Sequence, residues 1–385
     1  MPAIEEAKRR GYYTILCDYL PDNPGQYLVD LYIPASTTDV VAILDIARQH
    51  DIDAILGYAS DPATYTCAVV SEALDLPGNP PSSIAQLTDK GLFRAAQQQA
   101  GLPTPEFRIL TGNDVATGQI PDLAFPYIIK PVDSSDTKGV YNVSNEKEFT
   151  DLAQEALQFS RSKTLIAETM IDANTVNLHG DGFVIDGQIA FMALGKVMFY
   201  AGSTKLKPSA TWYPGDIEKN WLPEAERQIN KLLQETGFHE GPINIEARAD
   251  ASGTLYLMEI GPRSGGGMTP QTIAHAYGFD MLAATFDLLE RKRVVIQTHP
   301  AIHTMLMTMH VNDSGTISSI VRDQDLEPFL VEAHLSVKEG DSVKSYDQPA
   351  SSLGAYIYQF PDDTLLTKNR DDLYHRIIDQ IQIAQ

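Results

Sequence analysis

Apolar and polar positions change their period twice along the chain, and the three regions this leaves predict different kinds of structure. The opening reads as a helix (PAIEEAKRRG), a strand (YYTILCDY), a Pro/Gly turn, a second helix (TDVVAILDIARQHD) and a second strand (DAILGYA). Helix and strand in alternation predict a parallel sheet covered by helices, the α/β class. Such a unit normally opens with a strand and a glycine-bearing turn, and that strand lies centrally in the sheet. Here Met1 already stands in a helical pattern, so the first strand is missing. The expectation is a chain that begins further upstream or a reduced domain. PGNPP at Pro77–Pro81 closes this region and sets a first domain over residues 1–84.

From residue 85 the period changes. A helix, TDKGLFRAAQQQAG, ends at Gly101 and is followed by the strands FRIL and PYIIKPV, a polar loop, the helix EKEFTDLAQEALQFS and the strand TLIAETMI. GFVIDGQIAFMAL, PINIEARAD and GTLYLMEIG then follow as strands that meet in hairpins, so this part is α+β. A helix over QTIAHAYGFDMLAATFDLLERKR carries Ile273, Ala276, Tyr277, Met281, Leu282 and Phe286 on its apolar side and closes a domain at residues 85–292. VVIQT, HTMLMTMHV, SSIVR and GAYIYQF predict a small β-rich domain over 293–385, ending in a helix from Asp371 to Ile381.

Composition narrows the function. The 385 residues are 43% hydrophobic, enough for two or three cored domains, and the net charge of −22 repels nucleic acid and anionic membranes. Cys17 and Cys67 lie apart, without CxxC spacing or clustered histidine, which argues against a zinc site or a disulfide scaffold. No apolar run is long enough to span a bilayer, and MPAIEEAKRR lacks a signal-peptide core. The expected compartment is the reducing cytoplasm.

The segment INIEARADASGTLYLMEIG can be folded on paper. A two-residue turn at Ser252-Gly253 puts Glu246 opposite Glu259 and Asn244 opposite Gly261, with Asn244 and Glu246 on one face. Facing carboxylates repel unless a cation lies between them. Oxygen donors without His or Cys suit Mg²⁺ or Mn²⁺, the rest of the shell coming from substrate phosphates. The other reading is a solvated pair at a strand edge. Upstream, FPYIIKPVDSSDTKGV sets Lys130 at the end of an apolar strand before a loop of hydroxyl and glycine residues, which reads either as a phosphate nest with its lysine or as an ordinary strand-to-strand turn.

Taken in order, Asp89-Lys90, FPYIIKP with its loop, LIAETMI and GPINIEARADASGTLYLMEIGPRSGG resemble the ATP-grasp superfamily over residues 85–290. The flanks fit the same comparison: a Rossmann-like domain before and a small β-rich domain after, as in biotin carboxylase and the carbamoyl-phosphate synthase large subunit. The resemblance implies that Lys90 and Lys130 contact ATP phosphates and that Ser134, Ser135, Thr137, Lys138 and Gly139 form the lid over them. Glu168 with the backbone of Met170 and Ile171 is similar to the adenine hinge; its other reading is a strand glutamate paired with a lysine. Glu246 and Glu259 stand at the metal, and Arg263 resembles the arginine that meets the acyl-phosphate and the incoming carboxylate, followed by Gly265–Gly267, which let backbone come close.

Two positions depart from the pattern. Gly261 replaces the Asn of Glu-x-Asn, so Asn244, across from it, is the candidate to supply the absent oxygen. Asn174-Thr175 stands where a ribose-binding carboxylate is expected. His179 and His275 read as structural histidines. The implied activity is an ATP-dependent carboxylate-amine (or thiol) ligase acting through an acyl-phosphate on small molecules, with a homodimer allowed. Phosphorylation of bicarbonate or carbamate, or ATP sensing without turnover, are the rival readings.

Overall fold

Helix α1 (Pro2–Arg9) is fastened to the body of the protein by Arg10, whose guanidinium meets Glu6, Asp287 and Glu290 at 2.6, 2.7 and 3.0 Å. The computed structural model describes residues 1–135, 138–171, 175–199, 208–215, 217, 221–346, 351–365 and 370–384. β1 (Ile15–Cys17) and β2 (Leu31–Ile33) pair in parallel, and α2 (Val40–Gln49), α3 (Asp61–Ala73) and α4 (Pro81–Thr88) follow. Residues 54–57, expected as a strand, join no ladder among the described residues. Their apolar side chains suit a strand, but a strand also needs a neighbour's backbone, and β1 has β2 as its partner there.

α5 (Lys90–Gln99) leads into a four-stranded antiparallel sheet of β3 (Phe107–Thr111), β4 (Tyr127–Pro131), β5 (Tyr141–Val143) and β6 (Thr164–Thr169), in the order β3-β6-β4-β5. α6 (Gly112–Ala116) and α7 (Glu146–Gln158) cover it around Leu110, Tyr127, Phe149 and Ala153. In β4 the burial alternates, so Tyr127 and Ile129 enter that core while Lys130 faces the other way.

β7 (Val176–Ile185), β8 (Gln188–Phe199), β9 (Pro208–Tyr213), β10 (Gly241–Ala249) and β11 (Leu255–Gly261) belong to a second sheet, packed on α8 (Leu222–Thr236) through Ile229, Leu232, Ile243 and Ile245. The expected long helix after them is two: α9 (Thr269–Tyr277) ends at Gly278 in the left-handed region, and Asp280 caps α10 (Met281–Leu289). Residues 294–298, expected as a strand, are not one; Val294 and Ile296 pack against the cluster around Phe279 with their backbone outside any ladder.

The expected boundary at 292/293 is crossed by a single sheet. β12 (His303–Met309), β16 (Gly354–Phe360) and β14 (Leu330–Leu335) extend the second sheet to eight strands, β11-β10-β7-β8-β9-β12-β16-β14. β13 (Gly315–Ile320), β15 (Ser342–Val343) and β17 (Ile381–Ile383) make a small sheet beside it, and the last helix runs Arg370–Ile378, shorter than expected because Ile381 turns into β17.

Candidate active site

Lys130 and Glu168 sit diagonally on neighbouring strands. Lys130 faces Ile166 and Glu168 faces Ile128, which puts the two side chains on the same face two residues apart. Lys130 Nζ lies 2.6 Å from Glu168 Oε2, and Arg94 Nε, from α5, donates to Glu168 Oε1 at 2.6 Å. Arg94 is 1% and Glu168 2% exposed. Burial works against all these charges. On Glu168 the two cations outweigh it and hold the carboxyl down to about 2, whereas on Lys130 burial, with Arg94 and Lys90 repelling, outweighs Glu168 and lowers the ammonium. We take the pair as ionised near neutrality. Both Glu168 oxygens thus have partners within the protein. Of the other hinge residues, Met170 is exposed and Ile171 half-buried, and Asn174 lies outside the described residues.

A glutamate held below its ordinary value of 4.5 contributes stability above that value and loses it as pH falls toward about 2. Denaturant melts across this window are expected to lose about 3 kcal/mol on account of Glu168. Glu168→Gln should flatten that slope; an unchanged slope would assign the acid loss to other carboxylates.

Lys90 is the first residue of α5, whose N-cap Asp89 accepts from Leu92 N. Its Nζ donates to Ser134 O at 2.7 Å and stands 3.8 Å from Glu259 Oε2. The loop after β4 is therefore in hand: Asp133 accepts from Ser162 N at 2.7 Å, and Lys138 N donates to Ser135 O. Gly139 has φ +73°, and a Cβ there would come within 2.9 Å of Pro131 and 3.0 Å of Phe159, so glycine is required. Thr137 lies outside the described residues.

The hairpin turn differs from the expected Ser252-Gly253 pair. Asp250 and Thr254 close a three-residue loop, with Gly253 at φ +85° donating to Asp250 O. This slips the pairing by one, setting Ala249 opposite Leu255, and a bulge between Glu246 and Ala247 slips it back. The two offsets cancel. Glu246 faces Glu259, and Asn244 faces Gly261. Burial, eased by Lys90 and reinforced by Glu246 and Asp61, raises the Glu259 carboxyl above its usual range. The described residues contain no group of three or more His, Cys, Asp or Glu able to hold a metal. What fits the two facing carboxylates is a hard divalent cation that completes its shell with phosphate oxygens and water.

Asn244 is 6% exposed, and its Nδ2 is directed at Asp181 Oδ1 (2.7 Å), Gly180 O (3.0 Å) and His179 Nε2 (3.1 Å). A metal role for Asn244 would have to use Oδ1 alone. Fully buried Asp181 also accepts from Gly265 N at 2.8 Å and so anchors the glycine loop; a Cβ at Gly265 would come within 2.7 Å of that carboxylate. His275 has a partner in Glu332 Oε1 at 2.6 Å, and Glu332 Oε2 bonds His334.

Arg263 presents its Nε and Nη2 to the two oxygens of Asp61, at 2.7 and 2.8 Å. The pair lies over Gly261, where a Cβ would meet Arg263 Cζ at 3.2 Å and Asp61 Oδ1 at 3.3 Å. A side chain at 261 therefore presses on the pair of Arg263 and Asp61, which has to give by a few tenths of an ångström. Gly261→Asn is expected to cost about 1–3 kcal/mol by overpacking, read by denaturant melts. A variant as stable as the parent would mean that the pair moves aside freely.

The structure brings Lys90, Ser134, Ser135 and Glu259 to one cavity of about 360 Å³, which Asp61 and Tyr65 also line. Arg94, Asp61 and Asp181 are the additions that sequence alone did not single out. No helix among the described residues is long and apolar enough to cross a membrane.

Residues 123–271 match the family model described as an ATP-grasp domain. The chain is 22% identical over 260 residues to the uncharacterized protein y4rH of Sinorhizobium fredii, covering 64% of this chain and 51% of that one, so it spans about half of that relative's length. It is 21% identical over 325 residues to an L-arginine-specific L-amino acid ligase of Bacillus subtilis, covering 81% of this chain and 77% of the ligase. Among solved structures, an L-amino acid ligase from Bacillus licheniformis matches with a TM-score of 0.78 at 21% identity, covering 100% of this chain and 95% of the other. At such identities the structural likeness is one of fold. The chain carries an ATP-grasp domain at residues 123–271 and has the ATP-grasp fold.

Proposed function

We propose that the protein joins a carboxylate to an amine, using ATP and an acyl-phosphate intermediate, with amino acids as the substrate class. The observation that carries this reading is the pair Glu246 and Glu259, set directly opposite one another with Lys90 3.8 Å from Glu259. Similarity to proteins named L-amino acid ligases supports the choice of substrates.

Lys90 and Lys130 bind phosphate oxygens, and Ser134, Ser135, Thr137, Lys138 and Gly139 enclose them and exclude water. The backbone of Met170 and Ile171 holds the base. Glu246 and Glu259, with Oδ1 of Asn244 in reach of the same face, would hold Mg²⁺ or Mn²⁺. The ion, when bound, neutralises charge on the transferring phosphoryl group. Arg263 orients the carboxylate. The carboxylate attacks the γ-phosphorus and displaces ADP; the amine then attacks the acyl carbon and displaces phosphate. Positioning and electrostatics suffice, and no side-chain nucleophile is required. The working place is the cytoplasm.

The test is ADP release with a pool of amino acids. ADP formed only when the pool is present supports the reading; ADP at the enzyme-free rate overturns it.

A further inference from the structure

The geometry points to Asp61 as the positioning residue for Arg263, holding the guanidinium in the one plane in which it can receive the substrate's carboxylate or acyl-phosphate. This inference rests on the ligase reading above. Asp61 begins α3, in the region before the ATP-grasp domain, 202 residues from Arg263. Its two oxygens take Nε–H and one Nη2–H side-on, and Ser264 O takes one Nη1–H at 3.2 Å. A guanidinium has five N–H groups. Two have no partner among the described residues, one on each Nη, and a carboxylate or phosphate can be held by such a pair bidentately.

Three further observations fit a built arrangement rather than a chance surface pair. Gly261 has no Cβ where the pair crosses the end of β11, and any side chain there would press on Arg263 and Asp61 together. Two residues further on, Gly265 N is bonded to the buried Asp181, which fixes the backbone that follows Arg263. The pair also stands between two cavities: Asp61 and Gly261 line the larger one with Lys90 and Glu259, and Arg263 lines a second of about 110 Å³ with Tyr58 and Ser264. The position that the Glu-x-Asn pattern gives to a metal ligand is here given up to an ion pair that aims an arginine.

Four proteins decide it: Asp61→Ala, Asp61→Glu, the exchange Asp61→Arg with Arg263→Asp, and the parent. Each is assayed for hydroxamate formation from a pooled amino-acid mixture with ATP and hydroxylamine, for ATP affinity by calorimetry, and for melting temperature. Asp61→Ala is expected to lower kcat about 30-fold or more, the scale of a misplaced reacting partner, while ATP affinity stays within about twofold. Asp61→Glu should recover part of kcat. The exchange should recover the melting temperature but not turnover, since it restores the ion pair and moves the guanidinium. Asp61→Ala with full kcat, or an exchange that restores turnover along with stability, overturns the positioning role. A parent protein that forms no hydroxamate overturns the ligase reading itself.

Discussion

Replacing Arg94 with methionine is expected to remove about 3–5 kcal/mol of stability, the scale of breaking a buried ion pair from one side. Arg94 Nε holds Glu168, and its Nη1 bonds Gln97 Oε1 and Leu257 O at 2.8 and 2.9 Å, so one side chain ties α5 to β6 of the first sheet and β11 of the second. Methionine fills the volume and leaves Glu168 with Lys130 alone. Leu257 O keeps a bond from Gln97 Nε2, which limits the damage to the charge. Urea melts measure it. The double variant Arg94→Met, Glu168→Gln should lose less than the sum of the two single losses, because both break the same ion pair, although Lys130 is then left without its carboxylate. A double variant that loses the sum of both would mean that the two residues act separately.

Glu259→Gln is expected to act in opposite directions on fold and function. Without a cation, Glu259 and Glu246 repel across the ladder and burial disfavours the charge on Glu259, so glutamine should leave the ligand-free protein as stable or slightly more so. Turnover should fall about 100-fold or more, as when one preorganised electrostatic partner of a transition state is removed. Melts without nucleotide, paired with ADP release at saturating ATP, separate the two. A variant less stable and equally active would return the pair to a solvated strand edge.

The hairpin shows how much of the site was legible. Strand period and a turn of small residues placed Glu246 opposite Glu259, although the turn has three residues and the bulge at Met258 is what restores the register. Neither offset leaves a mark in the pattern. Lys130 was visible because an apolar strand ends on it, but Arg94 was not: it is 74 residues from Glu168 in an amphipathic helix where an arginine is ordinary. Asp61 was equally hidden, since only the tertiary fold carries α3 to the end of β11. Residues 54–57 and 294–298 have strand composition without a ladder, while β14 alternates at the sheet's outer edge with little burial and gives a weak period. Pattern reports what a side chain can face, and a ladder depends on which backbone arrives beside it.

Oxygen transfer tests the central claim most directly. If the carboxylate attacks the γ-phosphorus and the amine then displaces phosphate, one carboxylate oxygen leaves with each phosphate released. A substrate pool labelled with ¹⁸O in its carboxyl groups should give inorganic phosphate carrying one labelled oxygen for every amide formed. Amide formed with unlabelled phosphate, or with the label in AMP, would contradict the account.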